Sequence, residues 1–207
     1  MSPVRKRPGA ATPAPDPATS VLPHRPLRAD ARRNYESLLA AATEVFGEHG
    51  LHAPLDEIAR RAHVGNATMY RHFPTRQELI LAVYADEVST LCSQGAQQLT
   101  DDSPGDALFN WLEAFIAHVA SKRFLAAALT DEQTQRPPAL LDRWHQAMRD
   151  TAAALLHRAQ RAGAIRPGID AWDLLILANG IALAASDAGQ AHRLLTTIRH
   201  GLDPAGL

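Results

Sequence analysis

The sequence predicts an all-α protein of about nine helices, with a three-helix N-terminal unit carrying a helix-turn-helix and a larger helical unit behind it. Three observations predict this. Ala and Leu recur at helical spacing along most of the 207 residues. Aromatic residues make up only 5% of the chain, and no Val/Ile/Thr run alternates as a half-buried strand does. Gly and Pro clusters fall between the periodic segments, where helices stop. With 46% hydrophobic residues the chain can fill one large core or two small ones.

Residues 1–27 hold seven of the fourteen prolines and almost no apolar periodicity, so they are expected to form a disordered tail. Arg5, Lys6, Arg7 and Arg25 make it basic, able to lie along DNA phosphates or to act as a plain solvated leader. A first helix is expected over 30–49, where Tyr35, Leu38, Leu39, Ala42, Val45 and Phe46 share a face, with Gly50 as its left-handed cap. Pro54 suits the first position of a second helix, which His63-Val64-Gly65 interrupts. A third runs from Asn66, a good capping type, to His72, and Phe73-Pro74 closes it. The fourth, over 76–99, starts from a Thr75-x-x-Glu78 capping box. Ser103-Pro104-Gly105 breaks the chain before a helix at 106–122 and a short turn at 124–129. After Arg136-Pro137-Pro138 a long amphipathic helix covers 139–162 and ends at Gly163. Two final helices, 170–185 and 190–200, are joined through Ser186-Asp187-Ala188-Gly189.

The stretch Leu55 to Arg76 carries the functional signal. Leu55, Ile58, Ala59 and Ala62 share one helical face, whereas Asn66 to His72 is too short to bury a core of its own. It offers Asn66, Ala67, Thr68, Tyr70, Arg71 and His72, the hydrogen-bonding, small and cationic groups that reach base edges and phosphates. Charge agrees: residues 1–76 sum to +4 and the remainder to -5, although the whole chain is at -1. Other classes find less support. The lone Cys92 allows no internal disulfide, no apolar run reaches about 18 residues, and the N-terminus lacks a signal-peptide apolar core, so a cytoplasmic protein without membrane contact is expected. The ten histidines are scattered, with no paired cysteines and no Gly-rich phosphate loop; no enzyme activity, metal or cofactor is expected. Two rivals stay open at this point, an all-helical enzyme and an architectural DNA-binding protein without a ligand.

The run Val64-Gly65-Asn66-Ala67-Thr68-Met69-Tyr70-Arg71-His72-Phe73-Pro74-Thr75-Arg76, after Phe46-Gly47-Glu48-His49-Gly50 and Ile58-Ala59-Arg60-Arg61-Ala62, resembles the N-terminal domain of TetR-family transcriptional regulators. The segment LLDRWHQAMR at 140–149, with Ala164-Ile165-Arg166-Pro167 ahead of Asp170, is similar to the SbtR-type ligand domain of that family. The resemblance implies a homodimeric repressor that grips a near-palindromic double-stranded operator and is released by a small-molecule effector of unknown identity. It also implies a DNA-binding domain over 28–75 and a ligand-binding and dimerisation domain over 76–207. Asn66, Ala67 and Thr68 then face bases, while Tyr70, His72 and Arg76 hold phosphates. Arg71 serves groove or backbone, and Arg32 and Arg33 are weaker phosphate candidates. The chain departs from the family pattern at His63, where glycine is usual; His63 is expected to be left-handed and exposed.

In the second half, Trp111, Phe115 and His118 share one helical face and Trp144, Met148 and Thr151 another. Facing each other, they line an apolar cavity or simply fill a core; spacing leaves both open. The last two helices carry more apolar residues than one face needs. Leu174, Leu177, Ala178, Ile181, Leu194, Leu195 and Ile198 are therefore candidates for a four-helix interface with a second copy.

Overall fold

The computed structural model describes residues 29–121 and 138–202, which form eight helices and no strand. The expected tail, the turn at 124–129 and most of the break at 136–138 lie outside the described residues. Helix α1 spans Ala29–His49, and Tyr35, Leu38, Leu39, Ala41, Ala42, Val45 and Phe46 are its buried residues, three to four positions apart. Gly50 ends it at φ +73°, donating its N–H to the Phe46 carbonyl at 3.0 Å.

Helix α2 spans Leu55–Arg61, with Asp56 and Glu57 in its first turn and Arg60 and Arg61 in its last, both signs matching the helix dipole. Pro54 is its N-cap, at ψ 131°, one position earlier than the sequence suggests. Proline's ring fixes φ, and the extended ψ carries the chain in from Ala53. The helix closes as a Schellman motif: the Val64 N–H reaches the Ala59 carbonyl at 3.0 Å and the His63 N–H the Arg60 carbonyl at 3.2 Å. That motif puts its C′ residue in the left-handed region, and His63 takes φ +55° there, at a cost of about 1 kcal/mol relative to glycine.

Helix α3 spans Asn66–His72, and its N-cap is Gly65 rather than Asn66. The Gly65 carbonyl accepts from Thr68 and Met69, which leaves the Asn66 side chain free for other work. Helix α4, Arg76–Gln98, starts from the expected capping box: the Thr75 side chain accepts from the Glu78 N–H and the Glu78 carboxylate accepts from the Thr75 N–H at 3.0 Å. At 1.5 Å per residue its 23 residues are about 35 Å long.

Helices α5 (Pro104–Ser121), α6 (Pro138–Arg161), α7 (Ala171–Ala184) and α8 (Ala188–Leu202) complete the described fold. Pro104 opens α5 instead of preceding it, because the first helical N–H needs no partner. Asp170 caps α7, its carboxylate accepting from the Trp172 N–H at 2.7 Å. Asp187 caps α8: its carboxylate accepts from the Gln190 N–H at 2.7 Å, while the Ser186 N–H donates to Gln190 Oε1 at 2.7 Å. The expected linker at 186–189 is therefore partly helix. The backbone bond from Gln190, then the Ser186 hydroxyl, holds the Asp187 carboxyl below its usual range.

Two apolar cores result. One runs from Tyr35 to Val83 and is built from α1, α2, α3 and the start of α4. The other runs from Ala85 to Leu202, with α5 at its centre in contact with α4, α6, α7 and α8. Leu81 and Tyr84 pack against both, so α4 is a single rod shared by the two cores. Among the described residues no helix is long and apolar enough to cross a membrane.

Candidate functional site

Helix α3 is pinned to the N-terminal core by one fully buried side chain, Met69, and by Phe73 just past its end. Burial of a side chain of that size stabilises by about 1.5–3 kcal/mol. Everything else on the helix faces outward or sideways: Asn66, Ala67, Tyr70 and Arg71 are exposed, and Thr68 and His72 are half-buried. Tyr70 is 46% exposed. The rings of Phe73 and His72 lie 5.1 and 6.1 Å from the ring of Tyr35 on α1. Burial, and secondarily the charge of Arg71, holds the His72 imidazole below its ordinary value of 6.5.

Salt bridges fix α2 against α1. Arg61 donates through Nη1 and Nη2 to the Glu48 carboxylate at 2.8 and 2.5 Å, and through Nε to Glu57 at 3.0 Å. Arg60 takes the rest of Glu57, at 2.9 and 2.6 Å. Hydrogen bonds from Arg60 and then Arg61 push the Glu57 carboxyl down to about 2. These arginines are struts, committed to carboxylates rather than presented to a polyanion.

The sequence-predicted phosphate residues divide in the same way. Arg32 lies 3.8 Å from Glu36, and Arg33 pairs with Asp30, both at the surface. Arg76 is half-buried, and its Nη1 donates to the Leu51 and Ala53 carbonyls at 2.7 and 2.6 Å. It thereby ties the start of α4 to the loop between α1 and α2, with Nε and Nη2 left for other acceptors. Asn66 Nδ2 donates to Asp56 Oδ1 at 3.1 Å, a partner the sequence reading missed because it lies ten positions away on another helix.

In the second core, Trp111, Phe115, Trp144 and Met148 are buried, and Thr151 is half-buried. The Trp111 indole donates to the Leu91 carbonyl at 2.9 Å and its ring stacks on Phe115 at 5.8 Å. The two predicted rows do meet, but across Gly95 of α4, where a Cβ would overlap Thr151 Cγ2 and stand 2.8 Å from Trp111 Nε1. Close packing, not open space, occupies that crossing. His118 of the predicted set lines a groove of about 410 Å³, bounded by Glu87, Thr90, Leu91 and Gln94 of α4 and by Ala114, Ala117, His118 and Ser121 of α5. His118 Nδ1 is 3.7 Å from the Glu87 carboxylate, and Tyr84 links its ring to that of Trp144, at 5.5 and 5.0 Å. The α4 side of this groove had no signal in the sequence beyond polar residues on a helix.

Of the residues proposed for the interface, Leu174, Ala178, Ile181 and Leu195 are buried in the protomer's own core. Ile198 is half-buried, whereas Leu177 and Leu194 are 49% and 40% exposed. The correction has a plain cause. Helix α7 is apolar all round, so its period could not say which face turns inward. On these two helices the exposed large apolar side chains are Trp172, Ile176, Leu177 and Leu183 of α7 with Leu194 of α8. Trp172, Ile176 and Leu183 lie with Gly180 at helical spacing. The Arg149 guanidinium covers the Trp172 ring at 4.0 Å.

Comparison with known proteins agrees with this geometry. Residues 38–83 match the family model described as bacterial regulatory proteins, tetR family, and residues 103–204 match the C-terminal domain described as transcriptional regulator SbtR-like. The chain is similar to the crystal structure of the TetR transcriptional regulator SCO0520 from Streptomyces coelicolor, at 37% identity and TM-score 0.70, covering 83% of this chain and 99% of that one. It is similar also to a TetR transcription regulatory protein from Mycobacterium vanbaalenii, at 35% identity and TM-score 0.70, covering 86% and 99%. The HTH-type transcriptional activator FasR of Mycolicibacterium smegmatis is 40% identical over 96 residues, which span 42% of this chain and 43% of FasR. A short helix pinned by Met69 behind a tight turn, joined to a second helical core through one shared rod, is thus met with matches at both ends of the chain, which belongs to the TetR family of bacterial transcriptional regulators.

Proposed function

We propose that this regulator is a repressor acting in the cytoplasm as a homodimer on a near-palindromic operator, and that a small molecule in the second core releases it. The observation that carries the reading is the outward-facing α3, with polar and cationic groups on a helix held by a single buried residue. Such a helix enters a major groove without surrendering packing. The reading unit, over 28–75, and the sensing and dimerising unit, over 76–207, share α4. Ile176, Leu177 and Leu183 of α7 and Leu194 of α8 would be covered by the same face of a second copy, forming a four-helix contact. Two reading units must then sit about 34–36 Å apart to enter successive grooves on one side of DNA. A groove of about 410 Å³ is in the size range of small-molecule sites. Its α4 wall is the rod that begins at Arg76, so an occupant favouring one tilt of α4 changes the spacing of the reading units, and binding can shift only by that differential affinity.

Selection of bound duplexes from a random pool tests the reading. One near-palindrome is expected, with half-site centres about one helical turn apart, and its enrichment is expected to fall when a metabolite fraction containing the effector is added. Enrichment of no palindrome sinks the proposal. The likeness to FasR, an activator by name, over 96 residues favours a second reading, an activator. A reporter carrying the selected site separates the two: deletion of the gene raises expression under a repressor and lowers it under an activator.

A further inference from the structure

The Asn66 side chain is exposed, and its hydrogen bond to Asp56 is the only one it makes among the described residues. Chemistry fixes the orientation of that amide. A carboxylate only accepts, so at 3.1 Å Asn66 must turn Nδ2, not Oδ1, toward Asp56; the flipped amide would set two acceptors against each other. Asp56 is held in turn by the first turn of α2, whose position the Glu48–Arg61–Glu57 bridges fix against α1. An asparagine amide has two N–H donors and one carbonyl acceptor. With one N–H given to Asp56, Asn66 keeps one donor and one acceptor.

That remainder matches one base. In the major groove adenine offers the N7 acceptor beside the N6 amine donor, whereas guanine offers two acceptors, N7 and O6. Without Asp56, Asn66 has both N–H groups available and is free to turn its amide over, so guanine can be met by two donors. With Asp56 in place the second donor is gone, and the Asn66 carbonyl opposes guanine O6. On the reading that this chain binds DNA through α3, we infer that Asp56 is a specificity-determining positioning residue: it restricts Asn66 to adenine and against guanine without touching the base itself. The Asp56 carboxylate in fact opposes phosphate binding, so its loss should raise affinity for all DNA while blurring the choice of base.

The test uses the full chain and the operator recovered by selection. The position where Asn66→Ala loses base preference is located first; duplexes with adenine or guanine there are then titrated by fluorescence anisotropy. Wild type is expected to favour adenine by about tenfold to a hundredfold. In Asp56→Ala the ratio is expected to fall to within about threefold, while affinity for unrelated DNA stays equal or rises. Asp56→Asn keeps an acceptor but can flip, so its ratio should lie between the two. In the double variant, Asp56→Ala should change the Asn66→Ala ratio no further, which a merely structural role would not produce. If Asp56→Ala weakens the start of α2, Asp56→Asn carries the same comparison. A wild-type adenine-to-guanine ratio retained in both Asp56 variants, or no adenine preference in wild type, overturns the inference and leaves the DNA-reading proposal standing. Failure of wild type to enrich any site overturns both.

Discussion

The two cores of this chain are built to opposite standards of precision. The N-terminal core joins three short or moderate helices through named atoms: a Schellman turn at His63, a capping box at Thr75, arginine struts at Glu48 and Glu57, and Arg76 bound to two loop carbonyls. The C-terminal core is larger and mostly aliphatic, packs α5 among four neighbours, and leaves Ile176, Leu177 and Leu183 at the surface. The difference fits the tasks proposed for the two units. Reading bases requires donors and acceptors held to within a fraction of an ångström, and on α3 Asn66 is held in this way by Asp56. A cavity and a self-association face require mainly shape and apolar area.

The sharpest way to break the comparison is Met69→Ala. Met69 is fully buried and is the buried anchor within α3, so its loss should cost about 2–5 kcal/mol. The damage should stay in the N-terminal core. Hydrogen exchange is expected to quicken over α2 and α3 while α5 and α6 keep their protection, and DNA binding should be abolished. Equal loss of protection in both cores would show that they fold as one unit. Leu177→Glu combined with Leu194→Glu attacks the other side. Both residues are exposed in the protomer, so its helicity should be unchanged, and sedimentation should show a monomer that binds a full operator no better than a half-site. A dimer persisting in that variant would place the interface elsewhere.

Gly95→Ala asks how tight the C-terminal core is. Alanine gains about 1 kcal/mol in helix propensity. That gain is outweighed, because the new Cβ would overlap Thr151 Cγ2, a β-branched side chain whose hydroxyl is bonded to the Ala147 carbonyl, and would press on the buried Trp111 indole. Overpacking of this kind costs about 1–3 kcal/mol, which a drop in the denaturation midpoint without change of slope would record. A variant as stable as wild type would mean that the α4–α5–α6 crossing can loosen, as a cavity walled by Trp111 and Thr151 would require.

Legibility in the sequence follows the same division. Gly50, Thr75-x-x-Glu78 and the α1 face were readable because each is a local rule with a short span, whereas the left-handed His63 was readable through the family resemblance. Asp187-x-x-Gln190 was just as local and was passed over as linker, although its spacing is that of a cap. Asn66–Asp56 and Arg76 with Leu51 and Ala53 were illegible, since the partners are 10 to 25 positions apart and meet only after the helices pack. The inner and outer faces of α7 were illegible for another reason. A helix with Leu, Ile and Ala on every side has no polar face to orient it, so Leu174 and Leu177 look alike until the neighbours are known.

His72 allows the finest test, because it lies where the two standards meet: its ring packs on Tyr35 of α1 yet it sits on the reading helix beside Arg71. Burial first, and Arg71 second, holds its imidazole below 6.5, so in the free protein at neutral pH it is uncharged. A phosphate placed against it would act in the opposite direction and raise it. Binding would then take up a proton, and DNA affinity should strengthen as pH falls through the interval around and below 6.5, by at most about tenfold per unit. Stability of the free protein has the opposite sign. A histidine depressed in the fold binds its proton more readily when unfolded, so the His72 contribution is present above 6.5 and is lost as pH falls toward the depressed value. Nine other histidines also titrate, so the quantity to compare is wild type minus His72→Gln at each pH. A difference in operator affinity that grows on acidification, together with a stability difference that shrinks, places the ring against both phosphate and core. Parallel affinity curves in the two proteins would remove His72 from the DNA contact and leave it solely as packing for Tyr35.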